Sequence, residues 1–271
     1  MADFRAHDGT VFHYEDIGSG HPVILIHGWP LSSAMWEAQF RALANNGLRC
    51  IAYDRRGFGW SQRPWNTYTY DTFADDLRSL IQHLKLSSFS LVGFSMGGGE
   101  IARYFSRHGG QGVTKSVLIS SVVPFMLKTP GNPDGVPASV FDDMILQIQK
   151  DRPAFLASFL KTFMGVGAIT SPVSDETLQW NHALAMQAAP WATVDCVRAF
   201  AQTDFRADLP SINKPTLVIH GGADKIVPID ATGRATAKAL GSRLQVISGG
   251  PHAVCTTHAD EINELLLGFL H

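Results

Sequence analysis

The chain has 271 residues, 45% hydrophobic and 17% charged, with 22 basic against 24 acidic side chains and a net charge of −2. This length accommodates one large core with an inserted subdomain, or at most two small domains, and the composition excludes both a disordered chain and the basic face of a nucleic-acid binder. No apolar run approaches the roughly 20 residues that span a bilayer, and the start Met-Ala-Asp-Phe-Arg lacks the basic-then-apolar order of a secretory leader.

The first predicted element is a hairpin around Asp8-Gly9, between the short alternating runs 4–7 and 10–16. Gly18-Ser19-Gly20 then breaks the chain before Val23-Ile24-Leu25-Ile26, an apolar run of buried-strand length. A helix is predicted over 34–46, stopped by Asn46-Gly47, and a strand over 49–53. The same alternation gives a helix over 70–84, a strand over 89–92, a helix over 97–107 and a strand over 116–120. From 122 to 208 the rhythm stops, and only helical segments rich in phenylalanine and tryptophan are predicted. It resumes with a strand over 215–220, a helix over 230–240, a strand over 243–248 and a last helix over 260–267. The expected fold class is α/β, a mostly parallel sheet covered by helices on both faces. The expected domains are a core over 1–121 and 209–271 and an inserted helical cap over 122–208.

Gly93-Phe94-Ser95-Met96-Gly97 directly follows the strand over 89–92. A serine nucleophile must stand proud of the sheet, so the chain must turn sharply from strand to helix at Ser95. Side chains two residues to either side would block that turn, and glycine at both positions meets the demand. The bland reading is a glycine-rich helix start with a capping serine, and the pattern alone would not decide the matter. Its partners do. A serine hydroxyl needs an adjacent base, and histidine, ordinarily with a pKa near 6.5, is mostly neutral at pH 7. Of the eleven histidines, His252 is chosen because it follows the strand over 243–248 at the sheet end where such folds hold their sites. His220 reads as a buried structural residue, His258 as a helix-start residue, and His27 as a brace for its own loop.

Asp224, in the loop after the strand over 215–220, is the expected orienting acid, although by itself it also reads as an ordinary turn aspartate. Asp204 is the other acid weighed. The order Ser95, Asp224, His252 is that of the nucleophile-elbow hydrolases. An oxyanion hole is expected from the N–H groups of Met96 and Trp29, with Gly28 allowing the close approach. Asp54-Arg55-Arg56-Gly57 lacks the lysine and spacing of a phosphate loop and reads as a charged structural turn. Cys50, Cys196 and Cys255 are odd in number and far apart, so a cytoplasmic chain with reduced thiols is expected.

Together His27-Gly28-Trp29-Pro30, Asp54-Arg55-Arg56-Gly57, Gly93-Phe94-Ser95-Met96-Gly97-Gly98-Gly99-Glu100, the stretch His220–Pro228 and Pro251-His252 resemble one family nearly end to end. It is the cofactor-free haloperoxidase, perhydrolase and aryl-esterase branch of the α/β-hydrolases. The resemblance implies a serine carboxylesterase with no metal and no cofactor, often a homo-oligomer, with no nucleic-acid or membrane partner. It further implies that Trp29, Met126, Met144, Phe159, Phe163 and Ile226 line an apolar acyl site, for a small ester, lactone or lactam. Lactamase or lactonase activity, carbon–carbon bond hydrolysis and a non-catalytic ligand-binding role are the alternatives. Pro30 fixes its own φ and biases Trp29 towards extended backbone, so the Trp29 carbonyl can face the site and accept the second O–H of hydrogen peroxide. Peracid formation is therefore expected beside hydrolysis, as in the haloperoxidase-like relatives.

Overall fold

The computed structural model describes residues 2–167 and 169–271. Strands β1 (Ala2–Arg5) and β2 (Val11–Gly18) form the expected hairpin, with Asp8 Oδ1 accepting the Thr10 N–H at 2.9 Å. There follow β3 (His21–Ile26), α1 (Glu37–Asn45), β4 (Leu48–Tyr53), α2 (Tyr70–His83), β5 (Phe89–Phe94), α3 (Met96–His108) and β6 (Val113–Ile119). The insert after β6 carries α4 (Ala138–Phe163), α5 (Asp175–Met186) and α6 (Pro190–Gln202). The sheet resumes with β7 (Thr216–Gly221), α7 (Ala235–Leu240), β8 (Arg243–Ile247), α8 (Val254–Thr257) and α9 (Ala259–Leu270).

The eight strands lie in the order β1-β2-β4-β3-β5-β6-β7-β8. Among the described residues, only the pairings of β2 with β1 and β4 are antiparallel. Strand β3 lies between β4 and β5, so right-handed crossovers send α1 and α2 to opposite faces. Every residue of β5 and β7 is buried, which explains why these strands read as unbroken apolar runs rather than alternating ones. Helix α2 starts where Thr69 Oγ1 accepts the Thr72 N–H, and it buries Phe73, Leu77, Leu80 and Ile81 along one face.

Several boundaries differ from the sequence reading. Strand β6 begins at Val113, because pairing of Val113 with Phe89 and Lys115 with Ser90 extends it through residues of mixed polarity. The first helix is preceded by a separate 3₁₀ turn, Ser33–Trp36, and the helix predicted from 230 begins with a π-helical turn, Asp230–Arg234. A long α4 is bent at Asp151, whose φ of −157° and ψ of 83° interrupt it two residues before Pro153. Asp151 Oδ1 then accepts the Ala154 N–H at 3.1 Å and restarts the helix as a cap.

Register brings the functional loops together. Ile26 pairs with Gly93, Gly93 with Leu118, Ile119 with Ile219 and His220 with Val246, so β3, β5, β7 and β8 end at one level. The start of α3 is packed tightly onto that edge. A Cβ on Gly97 would stand 2.4 Å from the Ile26 carbonyl oxygen, and one on Gly93 would stand 2.7 Å from the Gly97 carbonyl. These neighbours are backbone and cannot swing aside. Gly97→Ala is therefore expected to destabilise the fold by about 1–3 kcal/mol, the usual cost of overpacking. Urea denaturation monitored by circular dichroism measures the loss, and an unchanged midpoint would contradict the close approach.

Candidate active site

Ser95 stands between β5 and α3 with φ 53° and ψ −116°, a left-handed conformation that costs a non-glycine residue energy. It is held there by its own backbone: the Ser95 N–H donates to Ile119 O at 2.8 Å, and its carbonyl accepts from Gly98 N and Val122 N. The side chain is thereby presented at the sheet edge, 6% exposed. His252, in the loop after β8, places Nε2 2.9 Å from Ser95 Oγ and Nδ1 2.7 Å from Asp224 Oδ2. Asp224 lies in the loop after β7, and its other oxygen, Oδ1, accepts the N–H groups of Ile226 at 2.8 Å and Val227 at 2.9 Å. The structure thus brings these three side chains into one hydrogen-bonded line. Asp204, the other acid weighed, pairs with Arg206 on the exposed stretch after α6 and is no part of it.

The electrostatics favour an anion at the far end of that line. Burial alone would raise the Asp224 carboxyl, but the charge interaction with His252 and hydrogen bonds from His220 and His252 hold it well below the usual carboxylate range. His220 is buried, as expected of a structural residue, with Nε2 3.0 Å from Val227 O. Its second contact had no local signal: the same nitrogen lies 3.4 Å from Asp224 Oδ2. Phe94 and Phe163 cover the His252 ring at centroid distances of 5.0 and 4.9 Å.

The loop after β3 crosses directly over the serine. A Cβ on Gly28 would stand 2.6 Å from the Phe94 ring and 3.0 Å from Ser95 Cβ, so only glycine lets the backbone come this close. Among the described residues, neither the Trp29 nor the Met96 N–H donates to a backbone carbonyl. His27 braces the loop from beneath. Its Nε2 accepts the Arg55 N–H at 2.9 Å, which leaves Nδ1 to donate to Gly28 O at 3.0 Å. Burial, and after it the neighbouring Arg55 charge, pushes the His27 pKa well below its ordinary value, in keeping with a neutral ring. Arg55 also donates to His27 O at 2.8 Å and forms a fully buried ion pair with Glu100 of α3, which also accepts from Tyr53 Oη. Asp54 closes the same turn by accepting Ser33 N–H and Trp60 N–H, both at 2.8 Å. The Trp29–Pro30 bond is cis.

Above the serine lies a cavity of about 270 Å³ lined by Trp29, Ser95, Met126, Met144, Phe159, Ile226 and His252, among others. Phe163 is not in its wall. It is buried behind, against Phe94, Phe159 and His252, because it lies one turn further along the same face of α4, where the helix has passed the cavity and reached the imidazole. Phe141, Phe155 and Phe200 line the cavity instead, together with Ser158, Thr162 and Lys225. Residues 155, 158, 159 and 162 form one helical stripe of α4. That spacing was visible in the sequence, but without a known partner surface it did not say which way the stripe faced. The Trp29 indole edge meets Phe159 at 5.1 Å and Phe200 at 5.7 Å, and its Nε1 donates to Thr193 O, tying the loop to the insert.

Residues 21–259 match the family model described as alpha/beta hydrolase fold. A non-heme chloroperoxidase of Kitasatospora aureofaciens is 41% identical over 267 residues, covering 97% of each chain. A bifunctional esterase/perhydrolase of Acinetobacter calcoaceticus is 40% identical over 268 residues, again 97% of each. Among solved structures, a bromoperoxidase from Bacillus anthracis superposes with a TM-score of 0.95 at 44% identity, over 99% of both chains. Among the described residues, no helix is long and apolar enough to cross a membrane.

The buried Arg55–Glu100 pair joins the helix behind the serine to the loop in front of it. Removing the charge of one partner strands the other, so Glu100→Gln is expected to cost about 3–5 kcal/mol of stability. Thermal unfolding checks this, and a loss within the ordinary range of exposed ion pairs would show that the pair does not hold the two elements together.

Proposed function

The chain belongs to the α/β-hydrolase family, among the serine hydrolases related to non-heme haloperoxidases and esterase/perhydrolases, and from that premise we propose that it cleaves small carboxylic esters through an acyl-enzyme on Ser95. The observation that carries this reading is the hydrogen-bonded line from Ser95 Oγ through His252 to Asp224. His252 takes the serine proton as Oγ attacks the ester carbonyl, and Asp224 fixes the imidazole and stabilises its charged form. The Trp29 and Met96 N–H groups receive the developing oxyanion, which the start of α3 also favours. His252 then returns the proton to the departing alkoxide. Water, activated by the same histidine, releases the acid. The apolar wall of Trp29, Met126, Met144, Phe159 and Ile226 favours an uncharged, short acyl chain next to the carbonyl.

Hydrogen peroxide is the second acyl acceptor in this reading. It attacks the acyl carbonyl in place of water, giving a peracid and free Ser95. The peracid then oxidises halide in solution to hypohalous acid, returning the carboxylic acid, so halogenation needs no metal or haem. The support is the 40% identical esterase/perhydrolase relative, together with Pro30. Proline restrains the Trp29 unit, whose carbonyl can accept the second O–H that peroxide has and attacking water uses less well.

Ser95→Ala is expected to lower ester turnover at least ~10⁴-fold while leaving the fold intact. Burst release of p-nitrophenol from a short-chain ester, with circular dichroism as the control, tests it, and near-normal turnover would refute the assignment. For the peroxide step, Pro30→Leu is expected to lower the ratio of perhydrolysis to hydrolysis of one ester roughly fivefold, the worth of one ordinary hydrogen bond. An equal ratio in the two proteins would leave the proline without this role.

A further inference from the structure

Resting on the Ser95 acyl-enzyme reading, we infer that the rim of the acyl cavity forms a subsite for an ionised carboxylate, so that the favoured esters carry a second carboxyl group a few bonds from the scissile one. The wall around Ser95 is aromatic and aliphatic except along one edge. There Ser158 and Thr162 of α4 and Lys225, next in the chain to Asp224, face the cavity. Among the described residues, Lys225 is the one lining side chain with a permanent positive charge at neutral pH. Thr162 and Lys225 also line the adjoining groove beside Pro251 and Gly165, which puts them together on the partition between the two spaces. Ser158 lies one helical turn before Thr162 on the same face.

These polar groups are not used by the protein itself. Asp224 turns its oxygens to His252, Ile226 N and Val227 N, and Asp230 pairs with Arg234 at 3.0 Å. Among the described residues, no carboxylate therefore neutralises Lys225. Other helix hydroxyls fold back on their own carbonyls, as Ser79 does onto Asp75 O and Thr193 onto Ala189 O, both at 2.9 Å. Ser158 and Thr162 make no such bond among the described residues. A flexible ammonium and two rotatable hydroxyls, on an edge open to solvent, suit a carboxylate that keeps part of its water shell. The rest of the wall would reject that charge, which fixes the direction in which such a substrate lies. With a cavity of about 270 Å³, only a short chain fits between the reacting carbonyl and the rim.

The test compares kcat/KM for matched charged and neutral esters at pH 8 by titrating released acid. Monoethyl glutarate against ethyl pentanoate puts the second carboxylate on the acyl side. The pair 3-acetoxypropanoate and propyl acetate puts it on the alcohol side. The charged-to-neutral ratio is expected to fall about fivefold in Lys225→Gln, the upper end of what a partly exposed ion pair contributes, and further in Lys225→Glu. The same ratio should drop in wild type as salt is raised from low to high ionic strength. Thr162→Val should lower it by a smaller factor. A fall in either ester pair supports the subsite and says on which side of the ester it acts. Unchanged ratios in both Lys225 variants, with wild type still turning over the neutral esters, would overturn the subsite and leave the Ser95 reading standing. If wild type hydrolyses none of the four esters, the Ser95 reading falls and the subsite with it.

Discussion

Everything at the reacting centre depends on one backbone constraint, the left-handed turn at Ser95. A φ of 53° is unfavourable for serine, and the surrounding structure has to enforce it. It does so by crowding. The turn is clamped between Ile119 O on one side and the amides of Gly98 and Val122 on the other, while Gly93 and Gly97 let helix and strand touch backbone to backbone. Gly98 and Gly99 extend the close packing to side chains, since a Cβ on Gly98 would meet Ser121 and one on Gly99 would meet Tyr70 and Phe205, all within 2.7 Å. Three glycines at a helix start are costly in conformational entropy. They are tolerated because the approach they permit fixes the position of Oγ to within a rotamer.

The second requirement is that the loop over the serine keep its place relative to the helix beneath it. The two touch where Gly97 meets Ile26 O and Gly28 meets Ser95, and a further link holds them at that spacing. The buried Arg55–Glu100 pair does this at long range, with Arg55 reaching the His27 carbonyl and Glu100 rooted in α3. Phe73 and Phe58 cover the guanidinium at 5.5 and 5.9 Å, so the charge is enclosed as well as paired. Such a pair adds little net stability over an apolar substitute. What it adds is direction: guanidinium bonds fix angles that packing alone leaves soft.

The sheet, the order of its strands' functional loops and the presence of a helical insert were all legible in the sequence. Each rests on a local signal: buried runs at β3, β5 and β7, turn glycines, and the strand-turn-helix spacing around Ser95. The loop role of His27 was legible for a related reason, since a histidine ending a buried strand has few partners besides backbone. Side-chain direction within the insert was not legible. Phe159 and Phe163 lie a turn apart on one face and are chemically identical, yet one lines the cavity and the other packs behind His252, a difference set by where along its length α4 meets the core. The contact of His220 with Asp224 was hidden too, because it depends on the loop after β7 folding back so that Val227 and Asp224 meet one ring nitrogen. Both failures are tertiary: the sequence names the residues but not the angle between elements.

The placement of charge explains why an apolar cap suits this site. At rest the proposed centre holds one buried anion, Asp224, surrounded by two backbone N–H groups and two imidazoles. As the acyl-enzyme forms, His252 becomes a cation between that carboxylate and the new oxyanion, giving three alternating charges in a row. In water such a row would need the solvent to reorient at each step. Here the donors at both ends are already fixed, on Asp224 by the turn at 226–227 and on the oxyanion by the loop at Gly28 and the start of α3. Phe94 and Phe163 close the faces of the imidazole, which restricts its proton traffic to Ser95 and Asp224 and keeps the field unscreened. The cap therefore contributes in two ways at once. Under the proposed function, Phe159 and its neighbours bind the acyl chain, while Phe163, from the same helix, shields the base from water.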